Sequence, residues 1–254
     1  MSNMLAIAQK ELRSYFASPI AYVIIGMFAL LYGGFYFVAV DFIAKQSMGL
    51  GMPGQQTINI NEVAIRPMLM NVSVILLFVL PLVTMRTYAE EKRTGTIELL
   101  LTSPLTDFQI IMGKFLGAMA LYAVMLAVTA IHIGILFVYG NPEWKPILAG
   151  YLGLLLMGGS FVSIGLLISS LTSNQIVAGM MTFAVLLLLW IVSWFGEAAG
   201  PTTREVLTRL SITTHFDDFT KGVIDTKHIV YYLSFIAFGL FLTAKSVDSE
   251  RWRG

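Results

Sequence analysis

Met85-Arg-Thr-Tyr-Ala-Glu-Glu-Lys-Arg-Thr-Gly-Thr-Ile-Glu-Leu-Leu-Leu-Thr-Ser-Pro104 is a polar interruption between two long apolar runs, and its layout decides how the rest of the chain is read. Arg86 stands four residues ahead of Glu90, the spacing at which side chains meet on one helix face. Gly95 permits a break, and Thr96 is placed to cap a new short helix. Ile97-Glu98-Leu99-Leu100-Leu101 then form an apolar-faced segment, which Ser103-Pro104 ends. A surface helix carrying three leucines needs something to bury them against. One reading sets them in the headgroup region of the same membrane. The other gives them a protein partner, which makes the stretch a docking element and not a simple connector.

The flanking composition fixes the class. The 254 residues are 57% hydrophobic and only 12% charged, where soluble domains carry about 25% charge. The apolar residues fall in blocks long enough to cross a bilayer, which takes about 20 residues each. The chain reads as an all-α integral membrane protein. A net charge of +1 offers no basic surface for nucleic acid. With no cysteine, disulfides, thiolate metal sites and cysteine nucleophiles are excluded. The first residues are polar and amphipathic, with no small-residue cleavage site behind a short apolar core, so they do not read as a cleavable signal peptide.

Working outward from the interruption gives six spans. Residues 2–17 place Leu5, Ala8, Leu12 and Tyr15/Phe16 at helical spacing, with Lys10, Glu11 and Arg13 on the other side, as in an interfacial helix. Pro19 breaks direction, and the spans follow at about 20–44, 67–85, 108–139, 147–171, 176–195 and 228–244. Residues 46–66, rich in Gly, Asn and Gln, read as a loop. Pro81 is expected to kink or end the second span. The polar loop occupies 86–107, Gly140–Pro146 a tight turn with an interfacial Trp144, and Thr172–Gln175 a very short hairpin. Residues 196–227 form a mixed polar segment, expected to hold one or two short helices. A charged tail follows the last span.

Six spans put both termini on one side. That side collects Lys10, Arg13, Arg86, Lys92, Arg93, Lys114, Lys245, Arg251 and Arg253. The other collects Lys45, Arg66, Lys145, Arg204, Arg209, Lys221 and Lys227, four of them in the single long 196–227 segment. The bias places both termini in the cytoplasm. No internal repeat relates the two halves, and no pair of broken helices marks a secondary transporter.

Other residues are weighed against plainer roles. His132, alone among Ile and Gly, reads as a packing residue and not a ligand. Met48, Met52, Met68 and Met70 could bind Cu(I) through their thioethers, but methionine is also an adaptable filler of apolar helices, the reading favoured here. Gly158-Gly-Ser-Phe161 has the look of an intramembrane serine protease motif. Its small residues explain themselves as close helix contacts.

Arg86-Thr-Tyr-Ala-Glu-Glu-Lys-Arg-Thr-Gly-Thr-Ile-Glu-Leu-Leu-Leu-Thr-Ser-Pro104 resembles the signature between the second and third spans of ABC-2-type transporter permeases. The likeness extends to the N-terminal interfacial (elbow) helix, the six-span layout and the polar segment before the last span. Residues 215–235 look closest to the permease of gliding-motility-associated ABC transporters, with the copper-processing permease of nitrous-oxide reductase maturation a near relative.

The resemblance implies an exporter-type permease subunit in the bacterial inner membrane, with residues 94–103 as a coupling helix in a cleft of a separate ATPase. Glu90, Glu91, Arg93 and Glu98 would make its polar contacts, Leu99 and Leu100 its apolar ones, around Gly95 and Thr96. The chain has no Gly-x-x-x-x-Gly-Lys-(Ser/Thr) phosphate loop, so ATP and Mg would belong to the partner and no cofactor or catalytic residue to this chain. Two permeases, alike or different, would pair amid membrane lipids. Asn71, Ser73 and Phe78 of the second span, with Gln175, Met180, Met181 and Thr182 of the fifth, would line their seam. Asn, Ser and Thr in spans also serve helix–helix hydrogen bonds. The rival readings are a membrane scaffold for a larger machine and an energy-independent channel or carrier.

Overall fold

The computed structural model describes residues 2–48, 59–197 and 201–251. Eleven α-helices account for almost all of them: α1 Ser2–Ala17, α2 Pro19–Met48, α3 Arg66–Thr84, α4 Ala89–Thr94, α5 Thr96–Leu101, α6 Asp107–Tyr139, α7 Trp144–Leu171, α8 Gln175–Glu197, α9 Pro201–Leu210, α10 Ile212–Thr220 and α11 Thr226–Arg251. A π-helical turn, Asn61–Ile65, leads directly into α3. No strand occurs among the described residues. Six of these elements are long and apolar enough to cross a membrane, so the fold is the all-α, six-span class expected.

α3 and α7 form the centre. Each buries about two-thirds or more of its most apolar stretch, whereas α2, α8 and α11 bury less than a quarter. α7 packs against α3, α6, α8, α10 and α11, and its small residues make that possible. A Cβ at Gly158 would lie 2.2 Å from the Tyr122 ring, and one at Gly165 would lie 2.1 Å from Thr84 Oγ1. Gly158-Gly-Ser-Phe161 therefore serves close helix approach, with Ser160 bonded to Leu156 O on its own helix. His132 likewise packs edge-on against Tyr32 and Tyr36 and bonds Val128 O through Nδ1 at 2.9 Å.

Several boundaries differ from the sequence reading. Residues 61–65, placed in a loop, are helical, and 49–58, Met52 among them, lie outside the described residues. Pro81 neither ends nor breaks α3; it sits within the last turn, where Pro81 O accepts from Met85 N at 2.9 Å. The tail after 244 is not separate: α11 continues to Arg251, because a helix leaving the bilayer keeps its own hydrogen bonds in water. The hairpin between α7 and α8 is closed by Asn174 Oδ1, which accepts from Ile176 N and Val177 N.

The α9–α10 end is braced separately. Asn61 clasps the α6–α7 turn, donating to Glu143 O at 3.0 Å and accepting from Glu143 N at 2.9 Å. Arg66 reaches Asp217 of α10 at 2.8 Å, and Lys221 joins the same carboxylate. Burial raises the Asp217 pKa, but the bonds from Lys221 and Arg66 outweigh it and hold the carboxyl below the usual carboxylate range.

Candidate coupling site

The polar interruption folds as two short helices hung on the end of α3. Residues 85–88 form the turn between α3 and α4, and its backbone groups need partners because they lie inside the protein. Ser169 of α7 supplies them. Its Oγ accepts from Tyr88 N and Ala89 N and donates to Met85 O, each at 3.1 Å. A hydroxyl has two lone pairs and one hydrogen, so all three bonds are allowed. Lys114 of α6 takes the remaining carbonyl, donating to Thr87 O at 2.8 Å.

α4 begins with the Arg86–Glu90 pair read from the sequence, 2.9 Å apart. It ends at Gly95, whose φ of 73° is the left-handed conformation that glycine adopts without strain. Gly95 is therefore both the C-cap of α4 and the N-cap of α5. Thr96 is not the cap expected of it: it is the first residue of α5, and its hydroxyl meets Thr94 Oγ1 at 3.0 Å. A glycine N-cap needs no side-chain acceptor to turn the chain.

α5 turns Ile97 inward and leaves Glu98 and Leu99 out, Leu99 at 72% exposure, with Leu100 half-buried. Arg93 is exposed as well. Glu91 differs from these. Its Oε1 lies 2.8 Å from Lys114 Nζ and 3.5 Å from Lys10 Nζ, so it faces the protein. Lys92 reaches Glu250 of α11 at 2.7 Å.

α1 completes the site. It lies against α6 where Gly113 and Gly117 admit it: Cβ atoms there would sit 2.6 Å from Ile7 and from Glu11 Cβ. The Gly-x-x-x-Gly face thus packs the interfacial helix. Glu11, read as part of the polar side of α1, is buried and bonds Lys114 at 3.0 Å. Leu5, read as apolar-facing, is exposed. Tyr15 donates to Val83 O at 3.1 Å, and burial pushes its phenol above the ordinary value. Between α1 and the interruption remains a polar notch of about 250 Å³, lined by Lys10, Glu11, Glu90, Glu91, Thr94 and Thr96 among others.

The seam residues scatter. Phe78 is exposed and touches Phe183, rings 5.1 Å apart, and Met180 and Met181 are open too. Val74, Phe78 and Leu82 form an exposed stripe along α3. Ser73 and Thr182 are buried, each bonded to its own helix. Asn71 lies in a groove with Phe35, Val38 and Phe42 of α2, and Gln175 is the first residue of α8.

Six membrane-length helices, with a clasped two-helix element at one end, are the architecture of a multi-pass membrane protein. The chain belongs to the ABC-2 family of transporter proteins: residues 46–216 match the family described as ABC-2 family transporter protein. Such permeases work with an ABC ATPase. Over 144 residues the chain is 33% identical to the Probable multidrug ABC transporter permease YbhR of Escherichia coli strain K12, and equally to that of Escherichia coli O157:H7. Each alignment covers 56% of this chain and 39% of the relative, so the chain matches well under two-thirds of the curated relatives' length.

Proposed function

We propose that this chain is the membrane subunit of an ATP-driven exporter in the bacterial inner membrane, moved through α5 by a separate ATPase. The observation that supports this most is the outward face of α5. Glu98 and Leu99 stand exposed on a six-residue helix too short to hold itself, with Ile97 buried behind them. An exposed leucine flanked by Glu98 and Arg93 suits an apolar socket with a polar rim on a partner protein. ATP and Mg would sit on that partner, and closure of two ATPases would rock two permeases about the stripe of Phe78, Met180 and Met181. On this reading both termini and α5 face the cytoplasm.

The relative's name as a multidrug permease makes small organic molecules the first cargo to try. Residues 215–235, which resemble the gliding-motility permeases, make a surface-machine cargo the second.

The test uses the absence of cysteine. A single cysteine at Thr102, exposed beside α5, is expected to react with a membrane-impermeant reagent only in inside-out vesicles. Glu98→Lys and Leu99→Asp are expected to insert normally but to lose the co-purifying ATPase. Reaction of Thr102→Cys in intact cells, or full ATPase retention by Leu99→Asp, overturns the reading.

A further inference from the structure

Lys114 is a buried cation in a position where composition alone gives it no reason to be. It is 1% exposed, the largest charged side chain enclosed in the core. Its ammonium has three hydrogens, and three oxygens from three segments meet it: Glu11 Oε1 of α1 at 3.0 Å, Glu91 Oε1 of α4 at 2.8 Å, and Thr87 O of the 85–88 turn at 2.8 Å. The Tyr88 ring lies 4.9 Å away. Lys10, whose side chain is 64% exposed, stands 3.5 Å from Glu91 and 3.9 Å from Glu11, so the second buried carboxylate is offset at the surface.

These partners lie far apart in sequence but share one mechanical problem. α4 and α5 are six residues each, too short to persist alone. The 85–88 turn joins α4 to α3, and Gly95, with φ 73°, joins α4 to α5. Ser169 holds the backbone of the turn but does not reach the side chains of α4. The Lys92–Glu250 pair is partly exposed at its acidic end and is easily exchanged for water. Among the described residues, the ammonium of Lys114 alone meets α1, the turn and α4 at once, from a helix long and apolar enough to span the membrane.

We propose that Lys114 is the positioning residue that fixes the coupling element to the spans, binding α1, α4 and α6 into one body, so that a load on α5 moves α6 instead of being absorbed in the turn. This rests on the reading of α5 as the ATPase-facing helix. A plainer role is charge balance alone, with Lys114 doing no more than neutralise Glu11 and Glu91. The two differ in what full neutralisation does. If charge balance is the whole role, removing all three charges restores everything; if Lys114 is a link, stability returns and the positioning does not.

The experiment places spin labels at Thr102→Cys and Ser249→Cys, both exposed, in the complex with its co-purifying ATPase. Distance distributions are compared for the parent chain, Lys114→Arg, Lys114→Met and the triple Glu11→Gln/Glu91→Gln/Lys114→Met. The parent and Lys114→Arg are expected to give one narrow distance. The triple is expected to regain thermal stability yet broaden the distribution and weaken ATPase binding about tenfold, the loss of a preorganised surface. A triple variant with parental width and affinity overturns the proposal. Should the Met variants not fold, Glu91→Leu decides: it removes the oxygen that ties α4 to the ammonium while Glu11 still balances the charge, so broadening supports the link and parental width sinks it. A parent chain that binds no ATPase would sink the docking reading, while the widths alone still decide the role of Lys114.

Discussion

At the α4–α5 end, α3 runs into a turn gripped by buried groups, the Lys114 ammonium and the Ser169 hydroxyl. At the α9–α10 end it is held by Arg66, Asp217 and Lys221, whose side chains are 39%, 31% and 42% exposed. The same helix is tied twice by different physics. A buried charge stripped of one partner leaves another charge stranded, so such a link is all or none. Half-exposed pairs trade partners with water at little cost. The first end suits a fixed lever and the second an adjustable closure.

The largest break expected in that contrast is Lys114→Met. It strands Glu11 and Glu91 and should cost about 3–5 kcal/mol in thermal unfolding of the purified subunit. Arg66→Gln, the matching cut at the other end, should cost no more than about 1 kcal/mol and less at high salt. Equal losses would erase the distinction between the ends.

Next in size are two changes on α7. Ser169→Ala leaves Tyr88 N, Ala89 N and Met85 O without their hydroxyl and should cost about 1–3 kcal/mol. Gly165→Ala drives a methyl into Thr84 and should cost about 1–3 kcal/mol, whereas Gly134→Ala, with open space around it, should be neutral or mildly stabilising. Denaturation midpoints of the three variants check both.

These sites also show what the sequence made legible. Apolar runs and their lengths gave the spans, since a bilayer imposes one simple requirement on every helix. Arg86–Glu90 and the break at Gly95 were legible because both are local, settled within five residues. The Lys114 cluster was not, because its partners Glu11, Thr87 and Glu91 lie 103, 27 and 23 positions away and helical periodicity assigns a charged residue to the wet face. Glu11 was misread for that reason. A signal was present all the same: a lysine between Gly113 and Gly117, in an apolar run, is expensive unless another element approaches closely enough to pair it. The seam is illegible for a different reason. Phe78 and Met180 are exposed among many exposed apolar residues, and every lipid-facing residue looks alike in a sequence.

The smallest effect expected belongs to the adjustable end and tests whether it senses acidity. His215 of α10 stacks on Tyr231 at 3.9 Å, lies beside His228 and donates through Nδ1–H to Ser211 O at 2.9 Å. Burial, reinforced by His228 and Lys227 and opposed by the Ser211 carbonyl and Asp218, holds its imidazole below the ordinary value. The folded segment therefore refuses a proton that the unfolded one accepts. Its contribution is full above the ordinary histidine value and is lost as pH falls toward the depressed one. Amide exchange in α10, corrected for intrinsic rates, should accelerate as pH falls below the ordinary histidine value of about 6.5. α4, gripped by Lys114, should not follow His215, and His215→Phe should flatten the α10 response. Parallel acceleration of α4 and α10 would mean that the two ends open together, and the lever and the closure would then be one device.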